Sequence, residues 1–452
     1  MLKREEILET LSPLNFWGKE QEIGVVREEY LGRLQGFLKS KDLVVAVIGV
    51  RRAGKTYLTK QLLKSKADQL SSEKTLYVLL EDPKFEPYLG TALLEEIYQT
   101  YREEVSGDGE VYMVLDEIQN VPLWEKWIRL LIEKKETVKI IITGSSSKLL
   151  LSELATTLTG RTLTLEVFPL SFKEFLSFKG HTVAKKYEIT TKRREWEKLL
   201  LEYIHYGGLP QVVLEKDSSL KTQLLKEIFE GIIYRDVVAR HKIKEVSLIK
   251  VVAEIGIHYF SSLGSATKLR NIVASLVGRK VSPNLVLQML SYLEEAFLIF
   301  QIPIFSYKVK EQKLYPKKFY CIDSGIINAV TVRFSENSGR LYENIVAISL
   351  LRHNGKGNVF YWKSDRQEEV DFVVKEGLNI KQLIQVCFEI GDEKVKKREL
   401  SALAKAVREL RCSPKTELLV ITRAFEGEEK EESHKIIYQP LWKWLLVGEL
   451  LT

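Results

Sequence analysis

The chain mixes two patterns of apolar residues. Short, wholly apolar runs such as "LVVAVIGV" (residues 43–50) are the pattern of parallel strands buried on both faces. "VYMVLD" (111–116) and "VKIIIT" (138–143) repeat it. Between the runs, apolar residues recur every three or four positions. After the first run they fall at Leu58, Leu62 and Leu63, which predicts a helix. The N-terminal third therefore reads as an α/β sheet. From about Ser171 the helical pattern takes over, in "SFKEFLSF", "REWEKLLLEYIHYGG" and "KTQLLKEIFEGIIYRDVVARHKI". Residues 185–198 are so charged that they read as a solvated helix or loop. Three helices follow, "VSLIKVVAEIGIHYF", "SATKLRNIVASL" and "SPNLVLQMLSYLEEA", the last with Ser282 as N-cap and Pro283 at its first position. "FLIFQIPIFS" and "KLYPKKFYCID" are apolar enough to pair as strands. This order predicts a winged helix over residues 245–325.

Between the first strand and the first helix lies "GVRRAGKT", residues 49–56, which matches GxxxxGK[ST] at every fixed position. The flanking strand and helix give this motif the context that its chemistry needs. Gly49 and Gly54 permit a tight loop. The backbone N–H groups of Val50, Arg51, Arg52, Ala53, Gly54, Lys55 and Thr56 can then face phosphate oxygens at a helix N-terminus, with Tyr57 next in line. Lys55 would neutralise the β- and γ-phosphates, and the Thr56 hydroxyl would hold Mg²⁺. The side chains of Arg51 and Arg52 fall at variable positions and read as solvated or locally paired. The run "VYMVLDE" ends in Asp116, a candidate Mg²⁺ carboxylate, and Glu117, a candidate for polarising the attacking water. The run 138–142 ends in Thr143, Gly144 and Ser145. Thr143 or Ser145 could read the γ-phosphate, and ordinary capping by the serines is the competing reading.

Composition narrows the class. The 452 residues, 45% hydrophobic and 29% charged, exceed what one core usually holds. No apolar run is long enough to span a bilayer, and the charged N-terminus lacks a secretory core. Cys321, Cys387 and Cys412 form no CxxC pair, and the six histidines show no metal spacing, so a reducing, cytoplasmic setting is expected. The net charge of +7 permits nucleic-acid binding without arguing for it. Abundant Lys and Glu with scarce Met and Cys resemble heat-adapted proteins.

Ordered blocks across residues 24–390 resemble one known family. They are "REEYLGRLQGFL", "GVRRAGKT", "LDEIQNVPLWEKWIRLL", "ITGSSSKLL", "TGRTLTLEVFPLSFKEFL", "YGGLPQVV", "YRDVVAR", "RLYENIVAISLLR", "YWKSDRQEEVDFVV" and "IQVCFEI". The chain resembles prokaryotic AAA-type ATPases, related to the STAND group, whose P-loop core is fused to a C-terminal nuclease-like domain. The resemblance implies an α/β fold. A P-loop AAA-type parallel sheet (1–170) is followed by a helical lid (171–244), a winged helix (245–325) and a restriction-endonuclease-like α/β domain (326–452). It also implies ATP/ADP and Mg²⁺ as cofactors, and the preference for ATP over GTP rests on it alone. Thr143 or Ser145 would be sensor 1. Arg161, in "TGRT", would approach a γ-phosphate in its own or a neighbouring subunit. Gly207, Gly208 and Pro210 would touch nucleotide from the lid, a helix-ending turn being the plainer reading. Val25, Val26 and Arg27 would lie near adenine, and Arg235 with Asp236 would link lid to core.

Nucleases of the restriction-endonuclease fold use a helix carboxylate, an Asp on a hairpin strand, and (D/E)xK on the next strand. Here the resemblance places Glu343 and Asp371 in the first two positions, but the third motif reads Gln385-Val386-Cys387. An amide and a thiol replace the acid and the lysine, so no cleavage is expected. Lys363, Lys375 or Lys381 could stand in for the missing lysine. In the winged helix, Asn284 and Gln288 are the few polar candidates for base readout. Lys268, Arg270, Arg279, Lys280, Lys308, Lys310, Lys313, Lys317 and Lys318 form a candidate phosphate-binding cluster. A winged helix that only packs against other domains is the alternative. The expectation is a Mg²⁺-dependent ATPase coupling nucleotide state to a C-terminal domain that binds nucleic acid or protein, and that could form homo-oligomers. A nucleotide-gated switch with minimal turnover, an ATP-regulated DNA nuclease and a toxin–antitoxin or mobile-element accessory are the other readings.

Overall fold

The computed structural model describes residues 2–40, 42–146, 158, 160–183, 186–331, 338–390, 393–431 and 434–448. The chain divides into two compact units, Met1–Val167 and Phe168–Thr452.

The first unit is built on five parallel strands: β1 (Val44–Ile48), β2 (Thr75–Leu79), β3 (Val111–Asp116), β4 (Val138–Gly144) and β5 (Thr162–Glu166). Their order is β2-β3-β4-β1-β5. All five residues of β1 are buried, as its unbroken apolar run requires. Helices Lys55–Gln69, Thr91–Tyr101 and Trp124–Glu133 make the crossovers. The last buries Trp124, Trp127, Ile128 and Leu131, one stripe at helical spacing. At the β2 edge of the sheet, the buried Asn15 carboxamide pairs with the main chain of Tyr77 in both directions, at 2.6 and 2.8 Å. That contact satisfies edge groups on β2 that would otherwise invite another strand.

Parallel register decides where the chemistry collects. Val47 is level with Thr143, and Ile142 with Leu115. The loop after β1, the end of β4 and the end of β3 therefore open at one edge of the sheet. At the opposite edge, Val44 pairs with Thr162 at the start of β5.

In the second unit, helices Val246–His258, Ala266–Val277 and Pro283–Glu295 accompany an antiparallel sheet in the order β6-β8-β7. Its strands are β6 (Ser262–Gly264), β7 (Ile299–Ile302) and β8 (Lys317–Cys321). Ser282 caps the third helix by accepting from the Leu285 N–H at 3.1 Å, and Pro283 opens it. A six-stranded sheet follows, in the order β13-β14-β12-β11-β10-β9. Strands β9 (Val359–Lys363), β10 (Glu369–Glu376) and β11 (Asn379–Cys387) are antiparallel neighbours. Strands β12 (Glu417–Thr422) and β14 (His434–Pro440) continue in parallel from β11, and β13 (Gly427–Glu431) returns antiparallel on β14.

A buried carboxylate shows how this second unit is stitched. Asp323 caps helix Ser324–Val330 through the N–H groups of Gly325 and Ile326 and also accepts from Gly208 N–H at 2.7 Å. Gly207 stands at φ +76°, and a Cβ there would lie 1.9 Å from the Asp323 Oδ1. Only glycine fits. Burial pushes the Asp323 carboxyl up to about 6, against the pull of its three N–H donors. A carboxyl raised on folding contributes stability that is full below its unfolded pKa and lost as pH rises through about 6. Part of that loss is already complete at pH 5, so between about pH 5 and about pH 8 the native chain should lose about 1–1.5 kcal/mol more stability than Asp323→Asn does. Denaturant titrations of both proteins at the two pH values check this; equal losses contradict it.

Candidate functional site

Residues 49–56 wrap the end of β1 as the motif requires. Gly49 has φ +151°, and a Cβ on it would sit 2.1 Å from the Val167 carbonyl. Gly54, at φ +94°, turns the chain into helix Lys55–Gln69. Val50 and Ala53 are buried, Arg51 is half-buried, and Arg52 is exposed at φ +66°. The buried Lys55 ammonium reaches back over the loop to the carbonyls of Gly49 at 2.9 Å and Val50 at 3.3 Å. A phosphate entering the loop would meet that ammonium and the first N–H groups of the helix.

Asp116 is buried at the end of β3 and carries three hydroxyl donors. Thr56 donates to its Oδ2 at 2.9 Å and Tyr77 to the same oxygen at 2.5 Å, while Thr143 donates to Oδ1. Thr143 also accepts the Glu117 N–H at 3.0 Å. The hydroxyl at the end of β4 thus anchors both acidic residues to that strand. Glu117 has φ +57° and ψ +47°, a left-handed conformation that costs a non-glycine residue on the order of 1 kcal/mol or more. Its carboxylate takes the Gln119 side-chain N–H at 2.5 Å. Hard oxygen ligands from Thr56 and Asp116, side by side at the mouth of a phosphate loop, fit Mg²⁺. Ser145 is buried beyond Thr143, and residues 147–157 of the serine-rich segment lie outside the described residues.

Three expectations change. Arg161 is exposed and precedes Thr162, whose partner Val44 begins β1. It stands at the sheet edge opposite the phosphate loop, a strand length of roughly 13 Å away. Arg161 therefore does not approach a γ-phosphate in its own site. Arg27, read as lying near adenine, is buried and turned inward. Its guanidinium donates to the Ala53 carbonyl at 2.8 Å and lies 4.3 Å from the Tyr30 ring centre, so it braces the loop. Gly208 and Gly207 are buried in the second unit, with the Gly208 N–H given to Asp323; Pro210 opens helix Pro210–Leu214. Val25 and Val26 keep partial exposure, and Tyr57 is half-exposed beside Gly24. Gln61 fixes this segment by donating to the Ile23 and Val25 carbonyls at 2.8 and 2.9 Å and accepting the Arg27 N–H. Sequence reasoning missed Gln61, Tyr77 and Gln119. The signal for Gln61 was a polar residue among Leu58, Leu62 and Leu63.

The second unit brings Glu343 and Asp371 together around a residue first assigned elsewhere. Lys318 was grouped with a basic surface, but it is buried, and its ammonium lies 2.6, 2.8 and 3.0 Å from Glu369, Asp371 and Glu343. Tyr320 donates to the same Glu343 oxygen at 2.7 Å. Burial alone would lower the ammonium's pKa; Asp371 and Glu343 outweigh it and raise it well above the usual lysine range. Burial pushes Glu343 up to about 7, with Lys318 opposing. Asp371 also accepts the Val386 N–H at 2.9 Å. Gln385 accepts the Asp371 N–H at 3.3 Å and donates to Glu399 at 2.5 Å. Burial pushes the Cys387 thiol up to about 11, so it stays protonated. Lys363 lies 3.7 Å from Glu369 at the rim, and Lys381 pairs with exposed Glu376. Among the described residues no group of three or more His, Cys, Asp or Glu is arranged to hold a metal ion.

The chain matches known protein families in three segments. Residues 41–176 match the family described as an AAA domain. Residues 197–337 and 338–442 match two families described as domains of unknown function, DUF8612 and DUF4143. The phosphate loop, the parallel sheet and this match define an AAA-type P-loop ATPase fold, joined to a separate C-terminal α/β domain. The chain is 38% identical over 409 residues to the uncharacterized protein MJ1544 of Methanocaldococcus jannaschii, covering 89% of this chain and 88% of that one. It is 32% identical over 372 residues to an uncharacterized protein of Haemophilus influenzae, covering 81% and 88%. The chain belongs to the family of these two proteins. The Walker-type ATPase PABY2304 of Pyrococcus abyssi is 14% identical, with a TM-score of 0.48 over 70% of this chain and 97% of that one. Among the described residues no helix is long and apolar enough to cross a membrane.

Removing Lys318 would leave its carboxylates buried without their cation. Lys318→Met should cost about 3–5 kcal/mol, whereas Lys381→Met, on the surface, should stay within about 0.5 kcal/mol. Urea unfolding of the three proteins checks this; equal effects of the two substitutions contradict the assignment of Lys318.

Proposed function

We propose that this chain is a Mg²⁺-dependent ATPase whose nucleotide state controls the C-terminal unit, which grips a nucleic-acid or protein partner without cutting it. The observation that carries the reading is the Asp116 carboxylate joined by hydrogen bonds to Thr56 of the phosphate loop and Thr143 of β4. Lys55 and the loop N–H groups bind the phosphates, and Thr56 with Asp116 would hold Mg²⁺, which when bound neutralises charge on the transferring phosphoryl group. Glu117 orients water and accepts its proton, and Gln119 positions that carboxylate. Arg161, exposed on the other edge, is proposed to act only toward a neighbouring copy. Winged-helix geometry is proposed for residues 245–325, whose exposed Lys308, Lys310 and Lys313, beside Tyr307 and Tyr315, suit a phosphate backbone with unstacked bases.

The C-terminal sheet is proposed to descend from a nuclease-like fold and to have lost cleavage. Support comes from Gln385, from the protonated Cys387, and from the Lys318 ammonium lying among the acids. One observation favours a second reading, a switch of minimal turnover: the Glu117 carboxylate is already engaged by Gln119.

Lys55→Ala should abolish ATP binding, and Glu117→Gln should preserve binding while lowering phosphate release at least about 100-fold. Unchanged release in both variants refutes the assigned roles. Gln119→Ala separates the readings, since a rise in turnover favours the switch and a fall favours the positioned base. Supercoiled plasmid with Mg²⁺ or Mn²⁺ should stay intact; nicking that disappears in Asp371→Ala contradicts the non-cleaving assignment.

A further inference from the structure

Tyr77 belongs to no motif, yet its phenol ends on the carboxylate read here as the metal-side acid. In the register of β2 and β3, Asp116 is level with Leu79, and Tyr77 is level with Val114. Tyr77 is thus the diagonal neighbour of Asp116, two residues back on the adjacent strand and on the same face of the sheet. A short hydroxyl at that position would fall short of the carboxylate, whereas a phenol spans the gap and donates at 2.5 Å. The ring is buried, with the Lys60 ammonium 5.3 Å from its centre. Burial, with Asp116 adding, raises the phenol far above its usual range, so it remains an O–H donor.

The backbone beneath that ring is fixed from outside the sheet. The buried Asn15 accepts the Tyr77 N–H at 2.6 Å and donates to the Tyr77 carbonyl at 2.8 Å and the Leu11 carbonyl at 2.8 Å. Helix Arg4–Leu11 and the turn after it are thereby connected through Asn15 and Tyr77 to Asp116. At the carboxylate, Thr56 and Tyr77 share Oδ2 and Thr143 takes Oδ1. Thr56 is also the expected metal ligand. When its hydroxyl turns to the metal, Tyr77 is the donor that still holds Oδ2.

We propose that Tyr77, seated by Asn15, is the positioning residue that orients Asp116 toward the metal–phosphate complex. The proposal rests on the ATP reading of this site and adds a residue pair to it. Partners that orient metal-side ligands from behind typically change metal affinity about 10–100-fold when removed.

The test uses the full chain with a fluorescent ADP analogue and a Mg²⁺ titration. Tyr77→Phe keeps the ring and removes only the hydroxyl. It should raise the Mg²⁺ concentration for half-maximal binding about tenfold, with metal-free nucleotide affinity unchanged. Asn15→Ala, which keeps the phenol, should shift the midpoint in the same direction and carries the test if Tyr77→Phe does not melt cooperatively. An unchanged midpoint in Tyr77→Phe, with Asp116→Asn displaced, overturns this inference alone. Equal weakening with and without metal overturns it too, since that marks a general packing effect. A silent Asp116→Asn removes the reading of the site and this inference with it.

Discussion

Burying the Asp116 carboxylate is the constraint around which the first unit is arranged. A charge removed from water needs close donors, or the unit forfeits several kcal/mol. Parallel strands supply them because their C-terminal ends align. The phosphate loop offers Thr56, β4 offers Thr143, and β2 offers Tyr77, each from a different element. These contacts also shape the site. The Thr143 hydroxyl bonds both the Asp116 carboxylate and the Glu117 N–H, so it fixes the Asp116 side chain and the turn at Glu117 against β4. The left-handed Glu117 is held by Gln119 on the far side. Stability and chemistry thus use the same few hydrogen bonds.

The second unit buries charge in the opposite way. There the centre is a cation, Lys318, and carboxylates converge on it from helix Ser338–Asn354 and from β10. The lysine comes from β8, a strand of the three-stranded sheet, so one ammonium joins that sheet to the six-stranded one. Asn344 adds to the join by bracketing the Cys321 main chain at 2.8 and 2.9 Å. Arg340 does likewise with the His258 and Phe260 carbonyls, at 2.9 and 3.0 Å. Polar contacts thus tie the three-stranded sheet both to the six-stranded one and to helix Ser338–Asn354.

Features set by neighbours in sequence were legible in advance. The unbroken apolar run of β1, the loop glycines and the Ser282–Pro283 cap each follow from local sterics or local hydrogen bonds. Asp116 and Glu117 were legible because an unbroken apolar run stops at them. Features set by register were not. Arg161 comes soon after the end of β4 in sequence, yet the pairing of Thr162 with Val44 carries it to the far edge. Lys318 follows Lys317 at the start of a strand whose remaining residues are all buried, so no alternation announced which lysine points inward. Tyr77 looked like one more apolar strand residue until the diagonal with Asp116 was known. Gly207 and Gly208 had a readable glycine signal, but their partner, Asp323, lies more than a hundred residues away.

The central claim is that nucleotide and metal assemble on the loop of residues 49–56 together with Asp116 and Thr143. Hydrogen–deuterium exchange of the full chain, with and without Mg²⁺ and ADP, tests it directly. The account predicts strong protection of backbone amides 50–57 and of those around 116–117, because the first would bind phosphate and the second border the metal. Protection absent from both segments, or confined to the second unit, would contradict it.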